Sequence, residues 1–314
     1  MHAHFDLDAY LTRINLTVQE LAASPTHSFA QLSLLVQHHR LAIPFENLAA
    51  CRVFPVDPAH ADVSIGERVS LHPARIFRKL VLDRRGGWCF EQNALLATAL
   101  RALGYAVETI CGRVIAPAVD SNKGKYLAKA MTHMLLLVTI DTNEQFLCDV
   151  GFGARGEPPI PIRVSPTSTK TTMASGESYE VGLANVVRHM HADTWTGDFY
   201  VDPSTAPDDF SATDRVLCYQ KGPTHPVYPV YVFSPDARLA HVDYEMANWY
   251  SSTHPHNRFT QIPICTKRTV DGFVTLAGNE FKETRHGETV RTNTIDPDEL
   301  LDLLKSTFGL VRST

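Results

Sequence analysis

The 314-residue chain has no apolar run of about 18 residues, the length a membrane-spanning helix needs. It has no basic excess. Twenty-nine Lys and Arg face 34 Asp and Glu, for a net charge of −5, whereas a nucleic-acid binder usually carries a basic field. Neither nucleic acid nor a membrane is therefore an expected partner. A small anionic co-substrate is still allowed, because a local basic cluster suffices for one. No Cys-x-x-Cys occurs: the six cysteines stand at 51, 89, 111, 148, 218 and 265, without metal-like spacing to histidine. Such scatter suits free thiols in a reducing compartment. Met1 to Asp8 shows neither a basic nor an apolar signal-peptide region, so a cytoplasmic location is expected. Internal repeats and low-complexity tracts are absent too. The 15 histidines include the pairs His38–His39, His189/His191 and His254/His256. No carboxylate-backed His-x-x-x-His accompanies them, so no metal is expected and they read as surface or turn residues.

What is present is an ordinary globular composition, 44% hydrophobic and 20% charged. Helical spacing predicts helices over 7–23, 28–39 and 73–82, with Ser28 as a cap and Pro73 in a first turn. A fourth helix begins near Cys89 and stops at Gly104. Residues 1–105 thus read as a helical domain. From Tyr105 the period changes. Strands are expected over 106–115, 132–140, 144–150, 178–190 and 198–201, with loops over 117–129 and 155–176. Residues 106–230 read as a small antiparallel sheet or barrel. Residues 231–314 add a helix over 235–250, strands over 259–267, 269–277 and 280–282, and a closing helix over 296–304. The fold class is α+β.

Arg85-Gly86-Gly87-Trp88-Cys89 puts one cysteine at the mouth of a helix, where the positive end of the dipole favours a thiolate. His133 opens the nearly continuous apolar strand over 131–140. Asp149 closes the next strand, just before Gly151-Phe152-Gly153. Asp141 to Glu144 is a polar connector, so the two strands form a hairpin that can bring His133 and Asp149 together. Cys, His and Asp are the parts of a thiol nucleophile, its base and the orienter of the base. Taken singly, each has a bland reading: a buried helix-start cysteine, a hydrogen-bonded core histidine and a turn aspartate.

Arg-Gly-Gly-Trp-Cys, Thr132-His133-Met134-Leu135-Leu136-Leu137-Val138 and Asp149-Val150-Gly151-Phe152-Gly153 closely resemble three signatures of the arylamine N-acetyltransferases. Pro44-Phe45-Glu46-Asn47-Leu48 resembles a fourth. Asn248 to Phe259, with Ser252-Thr253 and Pro255, is similar to a fifth, although Asn257 replaces the usual serine. The matches span most of the chain in the family's order, in the manner of its eukaryotic members, fungal ones among them. The resemblance implies a helical bundle, a central β-barrel and a C-terminal α/β lid, with a triad of the thiol-protease/transglutaminase type where the first two meet. Residue by residue, Cys89 matches the acyl-carrying nucleophile, and His133 and Asp149 match its partners. Departures such as Phe90-Glu91 and the region 155–228 are expected to bear on substrate rather than reaction.

The resemblance further implies ping-pong acyl transfer from a coenzyme A thioester to an aromatic amine or hydrazine, with no permanently bound cofactor. Phe45, Val114 and Phe152 match the acceptor lining. Gly151, Phe152, Gly153, Ser252 and Thr253 match the coenzyme A site. Lys123, Lys125 and Lys129 are candidates for its phosphates, with a solvated loop as the alternative. Acetyl is the expected acyl group and malonyl, used by some fungal members, is the rival. A malonyl carboxylate would need a cation, for which Arg113, Arg155 and Lys129 are candidates. A thiol hydrolase or transglutaminase-like enzyme is the second reading, and a catalytically silent binding protein on the same scaffold is the third.

Overall fold

The computed structural model of the chain describes residues 5–54, 69–117, 126–153, 155–184, 199–200 and 211–311. Helix α1 (Leu7–Arg13) starts on Asp6, whose carboxylate accepts from Ala9 N at 2.9 Å. One helix is predicted over 7–23, and two form. Asn15 takes a left-handed φ of 54° and ends the first. Thr17 and Glu20 then build a capping box that starts α2 (Val18–Ala22). These local hydrogen bonds override a periodicity that runs straight through. Ser28 caps α3 (Phe29–Ala42) by accepting from Gln31 N. Pro73 opens α4 (Pro73–Phe77), which continues as a π-helical turn over Arg78–Leu82. Helix α5 (Cys89–Ala102) stops as expected, with Gly104 at φ 90° and Tyr105 N bonded back to Leu100 O at 3.0 Å.

The central sheet has nine strands. Along it lie β5 (Ile162–Val164), β4 (Gln145–Cys148), β3 (Tyr126–Thr139), β2 (Ala106–Pro117), β10 (Val227–Phe233), β9 (Arg215–Gln220), β7 (Ser178–Leu183) and β6 (Thr169–Thr172). Strand β8 (Phe199–Tyr200) pairs with β3 in parallel, and every other pairing is antiparallel. The sheet curls into a nearly closed barrel around Ile110, Leu135, Leu137, Leu217, Tyr231 and Phe233. Residues 155–176, expected as loop from their Pro, Ser and Thr content, contain β5 and β6. Residues 185–190 of the expected strand 178–190 lie outside the described residues. Strands β9 and β10 extend the barrel beyond the predicted elements, and β10 runs past residue 230.

Strand β3 explains the unbroken apolar run after His133. Leu135 and Leu137 point into the barrel, while Met134, Leu136 and Val138 join the helical core with Leu96 and Leu100 of α5. Alternate residues face opposite sides of a strand, so a strand buried on both sides must be apolar at every position. The predicted β3–β4 hairpin forms, with Leu136 opposite Cys148.

The C-terminal part opens with helix α6 (His241–Thr253), shifted from the predicted 235–250. Residues 258–261 are helical rather than extended, because Asn257 caps them through Phe259 N. A five-stranded antiparallel sheet follows: β11 (Ile264–Arg268), β12 (Gly272–Ala277), β13 (Glu280–Arg285) and β14 (Glu288–Thr294), with β1 (Phe45–Glu46) from the N-terminal part on its edge. Phe45 pairs with Thr266 and Glu46 with Cys265. Residues 45–46 thus belong to the C-terminal sheet, although they lie within the expected helical domain. Among the described residues no helix is long and apolar enough to cross a membrane.

Candidate active site

Cys89 is the first residue of α5, and its sulfur is half-buried, 3.6 Å from Thr132 O. The two glycines before it meet a steric demand rather than a positive φ. A Cβ on Gly86 would fall 2.3 Å from Pro44 O, and one on Gly87 would fall 2.8 Å from Glu91 Oε2. Glu91 accepts from Trp88 N, and Lys79 Nζ bonds both of its carboxylate oxygens, at 2.7 and 2.9 Å. Phe90 is fully buried in the helical core. The Phe90-Glu91 departure, expected to bear on substrate, anchors the helix start.

His133 lies within hydrogen-bonding reach of the Cys89 thiol. Its Nε2 is 2.7 Å from Asp149 Oδ2, which leaves Nδ1 as the nitrogen for sulfur. Both side chains are buried, at 4% and 1% exposure. Burial disfavours the imidazolium, but the Asp149 charge and hydrogen bond, with Cys89, overcome it and raise the His133 pKa. Burial likewise pushes the Asp149 carboxyl up. His133, with hydrogen bonds from His133, Asn93 and Gly151, overrides this and holds it below the usual range. The pair is therefore an ion pair.

Two residues that the sequence reading missed complete the assembly. Asn93 sits one turn after Cys89 on α5 and is fully buried. Its Nδ2 donates to Asp149 Oδ1 at 3.0 Å and to Met134 O at 2.8 Å, and its Oδ1 accepts from Val150 N at 3.1 Å. No local signal singles it out, since Glu91 and Gln92 beside it on the helix are buried polar residues as well. Tyr231 on β10 places its ring 5.0 Å from His133 and 5.7 Å from Phe152. Its buried hydroxyl completes no hydrogen bond of normal geometry. Burial first, then the nearby Asp149 charge, raises its pKa. Nothing local in a strand sequence marks such a residue.

The Gly151-Phe152-Gly153 turn rests directly on the nucleophile. A Cβ on Gly151 would lie 2.6 Å from Cys89 Cα, and one on Gly153 would enter the Phe45 ring. The Phe152 ring meets His133 edge-on at 5.2 Å. Val114 pairs with Tyr231 across β2 and β10. Phe45 is buried against Gly153 and Phe259. Trp88 packs on Phe259 and donates its indole N–H to Asn248 at 3.2 Å. Asn47 ties down the same corner, donating to Phe259 O and Ile262 O and accepting from Ile264 N.

Ser252 is fully buried, and its hydroxyl, like that of Thr253, donates to Trp249 O of their own helix. Lys129 is exposed, and its carbonyl accepts from Arg113 Nη1 at 3.3 Å. Lys123 and Lys125 fall outside the described residues. Arg155 lines a different cavity. His39 corrects the surface reading of the histidines: it is fully buried between the Tyr10 hydroxyl and Gln92, and burial lowers its pKa to about 3. Among the described residues no group of His, Cys, Asp and Glu could hold a metal ion. All six cysteines are free.

A family model described as N-acetyltransferase matches residues 28–313. The arylamine N-acetyltransferase of Mycolicibacterium smegmatis is 30% identical over 308 residues, covering 97% of this chain and 92% of the relative. The chain belongs to the arylamine N-acetyltransferase family. It is thus an acyltransferase on this family's fold. The solved structure of the M. smegmatis arylamine N-acetyltransferase is 29% identical, with a TM-score of 0.74 over 98% of this chain and 93% of that one. The Mycobacterium marinum enzyme, solved in complex with CoA, is 28% identical with a TM-score of 0.72, covering 97% of this chain and 92% of that one. The N-malonyltransferase FDB2 of Gibberella moniliformis is 30% identical over 291 residues, 84% of this chain and 72% of that relative.

Proposed function

We propose that this member of the arylamine N-acetyltransferase family moves an acyl group from a coenzyme A thioester to an aromatic amine or hydrazine through a thioester on Cys89. The observation that carries the reading is the line of half-buried Cys89 and buried His133 and Asp149, with His133 Nε2 committed to Asp149 at 2.7 Å. In the first half-reaction His133 holds, as imidazolium, the proton drawn from Cys89, and the sulfur attacks the thioester carbonyl as the thiolate. The tetrahedral oxyanion collapses, the bond to the coenzyme A sulfur breaks, and the leaving thiolate regains the proton from His133. In the second half-reaction the amine nitrogen attacks the acyl-enzyme and gives its proton to His133 as the Cys89–carbonyl bond breaks. Asp149 holds the imidazole tautomer and stabilises the imidazolium in both halves. The flat acceptor is proposed to lie against Phe152, with Val114 and Phe45 contributing to the wall. Gly151 to Gly153 receive the coenzyme. Burial of Ser252 makes its hydroxyl a weaker candidate for that contact than the turn. The free thiols support a cytoplasmic location.

The proposed donor is acetyl-CoA. The malonyl alternative is favoured by the similarity to FDB2 and by Arg113. This cation lies near Cys111, whose thiol is in turn near Cys89. The test is mass spectrometry of the protein after incubation with acetyl-, propionyl- and malonyl-CoA in competition. One acyl adduct should form, on Cys89, and Cys89→Ser should form none and lose turnover while keeping its Tm. Wild-type-like transfer by Cys89→Ser would sink the nucleophile. A predominant malonyl adduct, lost selectively in Arg113→Met, would replace acetyl as the donor.

A further inference from the structure

Behind the Gly151-Phe152-Gly153 turn lies a second concavity, of about 650 Å³, between the end of α3, the β6–β7 turn and the β11–β12 turn. None of Cys89, His133, Asp149 or Phe152 lines it. Its size falls in the range of small-molecule sites.

Arg40, Arg155, Lys221 and Arg268 put four cationic groups on its wall, against the two carboxylates of Glu177 and Asp271. Both carboxylates are held by neutral hydroxyl donors. Glu177 accepts from the Tyr219 hydroxyl at 2.8 Å, and Asp271 accepts from the Thr269 hydroxyl at 2.9 Å. Arg40 and Arg268 are both bonded to one oxygen of buried Glu157, at 3.3 and 3.2 Å. Arg155 is exposed and makes no direct hydrogen bond or ion pair among the described residues. Lys221 is paired with Glu288, and Glu157 offsets part of the Arg40 and Arg268 charge, so Arg155 is the cation of this wall with no direct ion pair among the described residues. Apolar surface is supplied by Ile160 and Met173 on one side and, on the other, by the Phe273 ring, with Arg268 stacked 5.0 Å from its centroid; Gln37, Ser175 and His286 add neutral polar groups.

We propose that this concavity is a second ligand site, separate from the acyl-transfer centre, for a small organic carboxylate with a flat apolar body. Arg155 is the primary anion contact, since a guanidinium fork matches a carboxylate. Arg40 and Arg268 supply the supporting field from the floor. Ile160, Met173 and Phe273 hold the apolar body. The two sites share a wall at Glu157, whose other oxygen accepts from Gly153 N at 2.8 Å.

The test is calorimetric titration of the full chain with 2-naphthoate, after Cys89 has been alkylated with iodoacetamide to obstruct the first site. One binding site is expected, weakened by salt. Arg155→Ser should weaken it roughly tenfold, as loss of one charge-assisted bond does. Arg155→Lys should keep part of the affinity. Val270→Glu, at a nearly fully exposed position of the rim, should weaken it by like-charge repulsion. Neither surface change should shift Tm. Absence of binding, or equal affinity in wild type, Arg155→Ser and Val270→Glu, would overturn the site. Equal affinity for uncharged 2-naphthylmethanol would overturn the anion contact. Equal affinity for inorganic phosphate would overturn the apolar half of the assignment.

Discussion

At Asp149 one carboxylate does three jobs: Oδ2 receives His133, while Oδ1 receives Asn93 and Gly151 N. Asp149→Asn keeps the shape but loses the charge that offsets burial of the imidazolium. Turnover should fall at least a hundredfold, the scale of an oriented base. A loss under about fivefold would return Asp149 to the role of a turn residue. The same pair sets a pH dependence. His133 is raised, so its share of stability is complete below its ordinary value near 6.5 and is lost as pH climbs through about 10. Asp149 is lowered, so its share is present above the ordinary carboxylate range and is lost as pH falls through its depressed value. The Tm gap between wild type and His133→Gln should therefore be widest from about pH 5 to 6.5 and narrow toward pH 10. A gap that stays flat or widens over that alkaline range would contradict the ion pair. The three residues of this line could be read from the sequence because each sits in a distinctive local string. Tyr231 and Asn93 could not, because their partners come from distant strands.

Among the elements, the seam between α5 and the β3–β4 hairpin decides where sulfur meets nitrogen. Asn93 is the stitch, with bonds to Met134 O, Asp149 and Val150 N. Asn93→Ala would leave buried polar groups unmet, at a cost of about 2–4 kcal/mol. Thermal unfolding should show that loss. The kcat of the folded fraction should drop as well, because Asp149 loses one of its donors. An unchanged kcat would mean that the helix–strand contact is positioned by packing alone. The α5 helix and the β3–β4 hairpin were legible because period and punctuation agree there. The break between α1 and α2 was not, because the apolar spacing continues across Asn15 while the capping box at Thr17 decides the geometry. Strands β5 and β6 were hidden by a Pro- and Ser-rich composition that usually marks loops.

Across the whole molecule, the partition into three consecutive segments is softened by β1, which leaves the helical part to pair with β11. Asn47 reinforces that crossing with bonds to Phe259 O, Ile262 O and Ile264 N. The N- and C-terminal parts should unfold in one calorimetric transition. Asn47→Ala should lower its Tm and broaden it, or split off a C-terminal step, since three bonds between the parts disappear. Two transitions already present in wild type would refute the coupling. Sequence order suggested the layers but could not show this exchange, because a two-residue strand carries no period.

Strand β3 has a consequence for how the gene can vary. Its odd and even residues belong to different cores, so loss or gain of a single codon between His133 and Thr139 would exchange the two sets and turn the histidine away from sulfur in one step. Lineages can therefore lengthen the surrounding connections freely while this stretch keeps a constant length. Within it, drift is confined to swaps between apolar side chains of similar volume.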